Sequence, residues 1–410
     1  MTDEGFHSSS KDGYFSIVLI WLVTYEQNDI QDFKNILIMK DQKNRILFIM
    51  PLPPPVHGSA MMSQYIKGSK AVNEKFLCDY VNLSTSRSMS EIGKKSPIKI
   101  FRFFNAYLKT FLKLCTKRYD LCYLAITCHG RGFLKDTPFA LLCKLFGNRI
   151  VIHQHNKGMS KDVDKPLYKF LFKAVYKNAK VILLSDRLYP DISSIVDKSQ
   201  VMICPNGVPK IKQYPKKNNA VPRLLFLSNL IESKGVLVLL DACKILKEKG
   251  YTFICDFIGG ETKEIDTKRF EKDVALRGVE SEIHYLGPKY KEEKYIQIAN
   301  SDIFIFPTYY GNECFPLVLL EAMQQATPQI STAVGGIPDV IEDGETGFIV
   351  KERCPEYLAS KIEILLKDPT LREKMGKKSV ERFNDNFTQS KFEENIATIL
   401  TNAIEENKNN

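Results

Sequence analysis

The segment that most constrains the fold is an apolar run that stops at a proline and is followed by a helical pattern. Ile303–Phe306 contains four consecutive apolar residues, and Pro307 ends the run. A short apolar run without alternation is typical of a strand buried in a parallel sheet. After a loop that contains Glu313, Pro316 supplies the backbone angle favoured at the first helical position, and no helix breaker follows up to residue 323. The sequence therefore predicts the strand, loop and helix that recur in α/β folds.

The loop before this helix is predicted to bind an anion. Ligands of open α/β sheets lie beyond the carboxyl ends of the strands, and the N–H groups of Cys314, Phe315 and Leu317 would point there. A helix amino terminus favours an anion, most simply a phosphate. Glu313 precedes the helix and Glu321 lies within it, so the two carboxylates could accept hydrogen bonds from sugar hydroxyls on either side of a diphosphate. The alternative is that Glu313 is a surface loop residue and Glu321 a solvated helix position.

Three sequence motifs together indicate a family. Residues 313–321 read ECFPLVLLE, residues 335–338 read GGIP and residues 343–347 read DGETG. This set resembles the signature of retaining nucleotide-sugar glycosyltransferases of family 4. The resemblance implies the GT-B fold, an α/β architecture in which two Rossmann-like doubly wound domains face each other across a cleft. It covers residues 45–404, but its specific motifs lie almost entirely within residues 223–350.

The resemblance also implies roles for these residues. The segment from Cys314 to Leu317, including Pro316, would contact the diphosphate of the donor. Glu313 would contact hydroxyls of the transferred sugar, and Glu321 would contact the ribose.

Charge is unevenly distributed along the 410 residues, which are enough for two domains. Residues 39–205 contain 28 Lys and Arg against 11 Asp and Glu, whereas residues 206–410 contain 28 against 31. The first part therefore predicts an anionic partner. An anionic membrane surface or a phosphorylated lipid acceptor fits better than nucleic acid, because no basic-aromatic recognition module is visible. The ten cysteines contain no C-x-x-C pair and are predicted to be reduced thiols.

Three regions are predicted along the chain. Residues 1–38 are an extension of uncertain status, and we hypothesise that Met39 is the natural start. The apolar run at 14–25 is about half of the roughly 20 residues that a membrane-spanning helix needs, and it lacks the features of a secretory signal. Residues 39–205 are predicted to form an acceptor-binding domain, joined by a last helix near 385–404. Residues 206–384 are predicted to form the nucleotide-sugar-binding domain of a cytoplasmic protein.

The loop at 51–59 follows the predicted strand Arg45–Met50. Its prolines delay helix entry, Gly58 allows close backbone approach, and Ser59 is a predicted helix cap. The resemblance implies that this loop lies over the donor diphosphate, and a rigid proline turn without a ligand is the alternative. His155 resembles the cleft-facing histidine of the family that contacts the transferred sugar, and a structural role is its alternative. His153 and His155 share one face, but two histidines without a third ligand are poor evidence for a metal site.

Residues 98–118 are amphipathic at helical spacing, with an apolar row separated from basic residues. The favoured interpretation is a helix packed on the sheet with a solvated basic face, and the alternative is docking on an anionic membrane. A second basic row follows Pro166 at a spacing of four residues. The apolar row is Ile100, Phe104, Leu108, Phe111 and Cys115; the basic residues beside it are Lys99, Arg102, Lys109, Lys113 and Lys117; the second row is Lys165, Lys169, Lys173 and Lys177.

A lysine follows the strand predicted at 223–227. Lys234 lies at a turn before a helix, where it could meet a phosphate. Family members carry an arginine five positions earlier, and here that residue is Asn229. Either another base substitutes, with Ser228 and the proline-glycine loop helping, or donor binding is weaker. By resemblance, the nucleobase lies against the turns at Gly259 and Gly287, and the sequence does not distinguish uracil from guanine.

The resemblance implies transfer of a sugar from a UDP- or GDP-linked donor to a saccharide or polyprenyl-linked acceptor, in capsule, exopolysaccharide or lipopolysaccharide assembly. Lys234, Glu313 and His155 are the candidate catalytic residues. The resemblance implies that transfer needs no metal, as in GT-B enzymes generally, and no cofactor is expected. Ala326 stands where most members have glycine, and an ordinary backbone angle is predicted for it.

Other activities compete with this interpretation. Hydrolysis of a glycosidic bond by paired carboxylates is disfavoured, because a predicted phosphate-binding helix lies between Glu313 and Glu321. A GT-B epimerase, a phosphorylase and a catalytically weak donor-binding subunit stay open.

Overall fold

Two six-stranded parallel sheets organise the molecule. The computed structural model describes residues 43–88, 91, 96–217 and 219–406. The hypotheses on residues 1–38 and on Met39 lie outside the described residues.

The first sheet has the strand order β2-β1-β3-β4-β5-β6. Its four central strands, β1, β3, β4 and β5, are short apolar runs that are buried on both faces, as expected for a parallel sheet covered by helices. The edge strands β2 and β6 are partly exposed. Ile46 in β1 lies opposite Cys78 on one side and Leu121 on the other. The strands are β1 (Arg45–Met50), β2 (Leu77–Asn82), β3 (Leu121–Leu124), β4 (Ile150–His153), β5 (Lys180–Leu183) and β6 (Val201–Ile203).

Helices cover both faces of the first sheet. The helices α3, α4 and α5 share one apolar core with one face of the sheet, and α1 and α2 share a core with the other face. The helices are α1 (Gly58–Gly68), α2 (Lys70–Lys75), α3 (Pro97–Thr116), α4 (Gly130–Leu145) and α5 (Pro166–Tyr176).

The second sheet has the strand order β12-β11-β10-β7-β8-β9. Its strands are β7 (Arg223–Leu227), β8 (Ile254–Ile258), β9 (Ile283–Tyr285), β10 (Ile303–Phe306), β11 (Gln329–Thr332) and β12 (Gly347–Val350). Its helices are α6 (Val236–Glu248), α7 (Thr267–Ala275), α8 (Lys291–Asn300), α9 (Leu317–Met323), α10 (Ile337–Val340), α11 (Pro355–Lys367) and α12 (Pro369–Asn386).

In each sheet the chain adds its next strands on one side of the first strand and then continues on the other side. In the first sheet β1 lies between β2 and β3, and in the second β7 lies between β8 and β10. Such a reversal opens a crevice at the carboxyl ends of the two strands that flank it. The loops after β1 and β3, and those after β7 and β10, therefore border the two crevices.

The last helix, α13 (Gln389–Glu405), returns to the first sheet. Phe392, Ile396 and Leu400 are buried in the same core as β1. The connection between the sheets passes close to the start of this helix, since a Cβ at Gly207 would lie 2.3 Å from the carbonyl oxygen of Thr388. The chain thus crosses between the two sheets twice.

The amphipathic segment forms α3, but its buried face is not the apolar row. Ile100, Phe104 and Leu108 are 54 to 61% exposed, and Ala106 and Leu114 are buried instead. The helix packs on the sheet as the favoured interpretation holds, but the expectation that the apolar row forms its buried face is wrong. Ala106, Thr110 and Leu114 face the core instead, and the larger apolar side chains of the row lie outside.

All ten cysteines are free thiols. Over the described part of the chain, we find no helix with both the length and the apolar character needed to cross a bilayer.

Candidate functional site

A cavity of about 370 Å³ lies where the carboxyl ends of the two sheets approach each other. Loops from both sheets line it. Those after β1 and β4 contribute from the first sheet, and those after β7 and β10 contribute from the second. Nine of the predicted site residues line this cavity: Gly58, His155, Ser228, Lys234, Glu313, Cys314, Phe315, Pro316 and Leu317.

Lys234 and Glu313 meet in this cavity although they are far apart in sequence. Lys234 ends a short 3-10 turn after β7, and its ammonium group donates a hydrogen bond to Glu313 Oε2. The two side chains are only 15% and 11% exposed. The Lys234 Nζ also lies 4.5 Å from the centre of the Tyr310 ring. Each group is thus the hydrogen-bonding partner of the other in a largely buried site.

Gly235 determines how the lysine loop enters α6. Its φ angle is 93°, and a Cβ there would lie 2.3 Å from the carbonyl oxygen of Pro307. The backbone after β7 therefore packs directly against the backbone after β10. This contact brings Lys234 next to the loop that carries Glu313.

The glycine pair after β11 packs directly against the backbone of the Glu313 loop. The N–H of Gly336 donates to the carbonyl oxygen of Cys314 over 2.6 Å. At Gly335, φ is 59° and a Cβ would lie 2.5 Å from the carbonyl oxygen of Glu313. The GGIP motif thus has a physical role, because only residues without side chains fit under this loop.

The helix after Glu313 begins one residue later than predicted. Pro316 is the residue preceding the helix, with ψ of 121°, and α9 starts at Leu317. The prediction that Pro316 occupies the first helical position is therefore wrong. The first N–H groups of a helix have no partner within it, so those of Leu317 and Val318 border the cavity available to a ligand.

Glu321 is buried beside the cavity rather than in its lining. Its Oε1 accepts a hydrogen bond from Lys294 Nζ over 2.6 Å, and its Oε2 is buried without a hydrogen-bond partner among the described residues. Burial raises the pKa of Glu321, an effect that the charge of Lys294 opposes. Lys294 was missed by the sequence reasoning, because nothing in its local pattern connects α8 with a carboxylate 27 residues away.

Asn229, Gly259 and Gly287 form a turn cluster next to Ser228. Asn229 Oδ1 accepts from the N–H of Gly260 over 3.1 Å, and the N–H of Gly259 donates to Gly287 O over 3.1 Å. A Cβ at Gly259 would lie 1.7 Å from Ser228 O. These three residues do not line the 370 Å³ cavity. The Asn229 side chain holds the loop together and supplies no positive charge.

Three histidines adjoin the cavity from the first sheet. The rings of His153 and His155 lie 4.1 Å apart, and His153 Nδ1 shares a 2.5 Å hydrogen bond with the Tyr123 hydroxyl. Burial, followed by the nearby His57, lowers the pKa of His155 to about 3. His155 is therefore neutral at physiological pH. Within the described residues, no group of three or more His, Cys, Asp or Glu side chains is arranged to hold a metal ion.

His57 also caps α1. Its Nδ1 accepts from the N–H of Ala60 over 3.4 Å, whereas Ser59 lies inside the helix. The prediction of Ser59 as the cap is therefore wrong. Histidine is not one of the usual capping residues, which are Ser, Thr, Asp and Asn, so the local sequence does not indicate this cap.

A second cavity of about 540 Å³ continues from the first into the first sheet's loops. The two cavities share Ser59, His155 and Asn156. The second one is lined further by Thr127 and Asp136, whose Oδ2 accepts from the Thr127 N–H over 2.9 Å. Together the two cavities form a continuous space that reaches from Lys234 into the first domain.

Several asparagines of the site were not predicted. Asn156 and Asn312 line the 370 Å³ cavity, and so does Asn206, whose Nδ2 donates to Phe315 O over 3.1 Å. Lys161 from the first domain donates to Asn312 Oδ1 over 3.2 Å. Asn156 follows His155 and Asn312 precedes Glu313, so the only signal in the sequence for these two was that each adjoins a predicted site residue.

Ala326 follows α9 and adopts a left-handed conformation, with φ of 53°. The prediction of an ordinary angle is therefore wrong. The chain must reverse between α9 and β11, and the close approach of Gly376 to the Ala326 carbonyl oxygen leaves little freedom there.

A third cavity, of about 800 Å³, lies at the opposite end of the first sheet. Lys144 there donates to the carbonyl oxygens of Ala174 and Lys177 over 2.7 and 2.6 Å. These bonds satisfy the carboxyl terminus of α5, so the lysine has a structural role.

Comparison with known proteins identifies relatives of the second half of the chain. The model of the family "Glycosyl transferases group 1" matches residues 208–382. The D-inositol 3-phosphate glycosyltransferase of Corynebacterium efficiens is 28% identical over 225 residues, covering 52% of each chain. The capsular polysaccharide biosynthesis glycosyltransferase CapM of Staphylococcus aureus is 28% identical over 183 residues, 45% of this chain and 47% of CapM. The chain thus matches about half the length of these relatives.

The similarity to solved structures extends over both sheets. The structure of Anabaena HepE in complex with UDP-glucose has a TM-score of 0.67 at 16% identity and covers 87% of this chain and 99% of that one. At this identity the similarity concerns the fold alone. It confirms the predicted GT-B fold.

Proposed function

We propose, from the match of residues 208–382 to the glycosyl transferases group 1 family model, that the chain is a retaining, metal-independent glycosyltransferase. It would move a hexose-type sugar from a UDP- or GDP-linked donor to a saccharide or lipid-linked saccharide. The observation that carries this proposal is the meeting of Lys234, Glu313 and His155 around one cavity of about 370 Å³. Residues 206–384 would bind the donor, and residues 39–205 with the last helix would bind the acceptor.

The reaction needs stabilisation of the leaving diphosphate. As the bond between the sugar and the β-phosphate oxygen breaks, its electron pair stays on that oxygen, and the acceptor oxygen bonds to the sugar and loses its proton. Lys234 would neutralise the diphosphate, with the N–H groups at the start of α9 donating to its oxygens. A donor that is oriented before the reaction stabilises developing charge without reorganising, and one such donor is worth about 10²–10³ in rate.

Before the donor arrives, Glu313 is the anionic partner of Lys234. When the diphosphate takes over the lysine, Glu313 Oε2 becomes free to accept a hydrogen bond from a hydroxyl of the transferred sugar. Exchange of one anionic partner for another keeps the charge of the ammonium group satisfied throughout.

Glu321 would bind the ribose. Its buried Oε2 has no partner among the described residues. Because buried oxygens normally accept a hydrogen bond, this supports a ribose hydroxyl as the donor to Oε2. Lys294 would hold the carboxylate in place through Oε1.

Neutral His155 would contact the transferred sugar. Its Nε2 is buried without a hydrogen-bond partner among the described residues, as expected of an atom that meets a ligand. The lowered pKa of His155 supports a role as a neutral hydrogen-bonding group rather than as a cation.

The 540 Å³ cavity would receive the acceptor, because it joins the donor cavity at His155. The similarity to a capsular polysaccharide enzyme supports a role in cell-surface polysaccharide assembly. The protein would then be cytoplasmic and bound to the inner face of the membrane.

The test is a comparison of Lys234→Ala and Glu313→Ala with the wild type, after UDP- and GDP-sugars have been screened for binding by calorimetry. Each variant is expected to lower the turnover of the best donor by about 10²–10³. Lys244→Ala, on the exposed face of α6, is the matched control and should keep the wild-type rate. Wild-type turnover in both site variants would refute the proposal.

The second candidate is a catalytically weak donor-binding subunit. Asn229 supports it, because this side chain is engaged with Gly260 and adds no charge to the site. Donor binding without transfer to any of a broad panel of saccharide and lipid-linked acceptors would favour this candidate. Conversion of the donor without any acceptor would indicate an epimerase instead.

A further inference from the structure

The outer side of α3 exposes a continuous row of large apolar side chains. They recur mostly at intervals of three or four residues along about four turns of the helix, and each is between 41% and 69% exposed. Monomeric proteins rarely leave such a contiguous apolar surface in water without a functional reason. The row consists of Ile98, Ile100, Phe101, Phe104, Leu108, Phe111 and Leu112.

The core of the first domain does not need this row. On its inner side α3 buries Ala106, Thr110 and Leu114, and the Phe103 ring packs edge-on against Phe139 at 5.5 Å. The helix is thus apolar on two sides, and only one of them contacts the sheet.

The two other helices on this side of the first sheet expose further apolar side chains. The Phe111 ring contacts the Phe146 ring at 5.9 Å, just beyond the end of α4, and Leu145 beside it is 81% exposed. On α5, Leu167 and Phe170 are 58% and 69% exposed. We call these residues, together with the row on α3, the outer helical face.

The charge of the outer helical face has one sign. The helices α3, α4 and α5 contain a single acidic residue, Asp136, which is only 3% exposed. Lys109, Lys169 and Lys173 are exposed on α3 and α5. Within these three helices the surface therefore combines apolar side chains with positive charge and no exposed carboxylate, and the exposed Asp164 lies two residues before α5.

We propose that the outer helical face docks on an anionic lipid bilayer. Apolar side chains with lysines around them match the interface of such a bilayer, where the side chains enter the acyl boundary and the lysines meet phosphate headgroups. A second copy of the chain fits less well. In a symmetric dimer the same patch contacts itself, so lysines would face lysines without carboxylates to pair with them.

The position of this surface connects it with the cleft. Arg102, near the start of α3, donates to the carbonyl oxygen of Thr85 over 2.8 Å, and Thr85 lines the 540 Å³ cavity. A bilayer at the outer helical face would therefore lie near the mouth of that cavity. A lipid-linked acceptor could enter without leaving the membrane, a step that rests on the proposed function, whereas docking does not.

The test is sedimentation of the full chain with vesicles of phosphatidylcholine alone or enriched in phosphatidylglycerol. We expect binding to the anionic vesicles that weakens as salt is raised. Phe101→Ser combined with Phe104→Ser should lower the bound fraction at least about tenfold, since two large apolar side chains no longer enter the lipid. Lys109→Glu and Lys169→Glu should each lower it about fivefold or more.

The matched control is Leu276→Ser combined with Tyr290→Ser, because these side chains are 69% and 73% exposed in the second domain. This variant should bind vesicles like the wild type, and all variants should keep the wild-type melting temperature. Equal binding to both vesicle types, or anionic binding that the double phenylalanine variant retains, would overturn the proposal. So would self-association that this variant abolishes while no vesicle binding is seen. Vesicle binding without any glycosyl transfer would leave the docking proposal intact and refute the proposed function instead.

Discussion

The two domains share one sheet architecture but differ in how their loops are built. In the second domain, backbone segments press against each other where the site forms: a Cβ at Gly259 would lie 1.7 Å from Ser228 O, and one at Gly335 would lie 2.5 Å from Glu313 O. In the first domain, a Cβ at Gly58 would have no neighbour within 4 Å. Backbone atoms thus leave no room for a side chain at these two positions of the second domain, whereas the loop at Gly58 in the first domain has open space around it.

The largest expected effect tests this contrast with matched glycine substitutions. Gly259→Ala should lower the free energy of unfolding by about 4 kcal/mol or more, because backbone atoms cannot make room for the new Cβ. Gly58→Ala should change it by less than about 0.5 kcal/mol, because the space is open. Urea unfolding of both variants measures the two changes. Equal effects would show that the two loops do not differ in tightness.

The second effect concerns the buried pair of the second domain. Lys294→Met should lower the free energy of unfolding by about 2 to 3 kcal/mol, since the buried Glu321 carboxylate loses its counter-charge. The folded-state pKa of Glu321 is already raised above its ordinary value of 4.5. A raised carboxyl pKa gives stability at low pH that is lost as pH rises, so the deficit of this variant should shrink on acidification.

Lys289→Met is the control for the buried pair, because Glu293, the partner of Lys289, is 73% exposed. Its unfolding free energy should match that of the wild type within about 0.5 kcal/mol. If Lys294→Met were equally harmless, Lys294 would not stabilise Glu321. The affinity for UDP and GDP, measured on the same samples, tells whether loss of the lysine also disturbs the ribose position.

The two domains also differ in how far their structure could be predicted from the sequence. In the second domain, Pro307, Glu313 and the glycine pair at 335–336 act through local backbone geometry, so their spacing in the sequence was enough to predict the strand and the loop that lines the cavity. In the first domain, the side of α3 that faces the sheet depends on how much space lies beneath it. An apolar row indicates a surface that avoids water, but it does not tell whether protein or lipid covers that surface. Lys294 was missed for a related reason, because its partner comes from another helix.

The third effect concerns the buried histidines of the first domain. An unfolded histidine binds a proton near pH 6.5, whereas His155 in the folded state does so only near pH 3. The unfolded state therefore gains protons first, and stability falls as pH drops below about 6.5. Between about pH 6.5 and pH 5 the loss should reach about 2 kcal/mol from this residue.

His155→Gln should flatten this pH dependence, because a glutamine side chain does not titrate in this range. The measurement is a series of urea midpoints across that pH range. An unchanged slope in His155→Gln would mean that His155 does not account for the acid sensitivity.

The smallest effect lies at a strained position of the second domain. Ala326 has φ of 53°, a conformation that costs an L-residue with a Cβ roughly 1–2 kcal/mol. Ala326→Gly removes that strain but gives the unfolded chain more freedom, which costs about 0.4–1 kcal/mol. The net gain should be about 0.5 kcal/mol, measured as a higher urea midpoint. Ala71→Gly, inside α2, is the opposite control and should lower stability by about 1 kcal/mol, because glycine is a poor helix former. If Ala326→Gly lowered the free energy of unfolding, the left-handed conformation of Ala326 would not be strained enough for glycine to relieve it. The backbone at this turn would then be less tightly constrained than at Gly259.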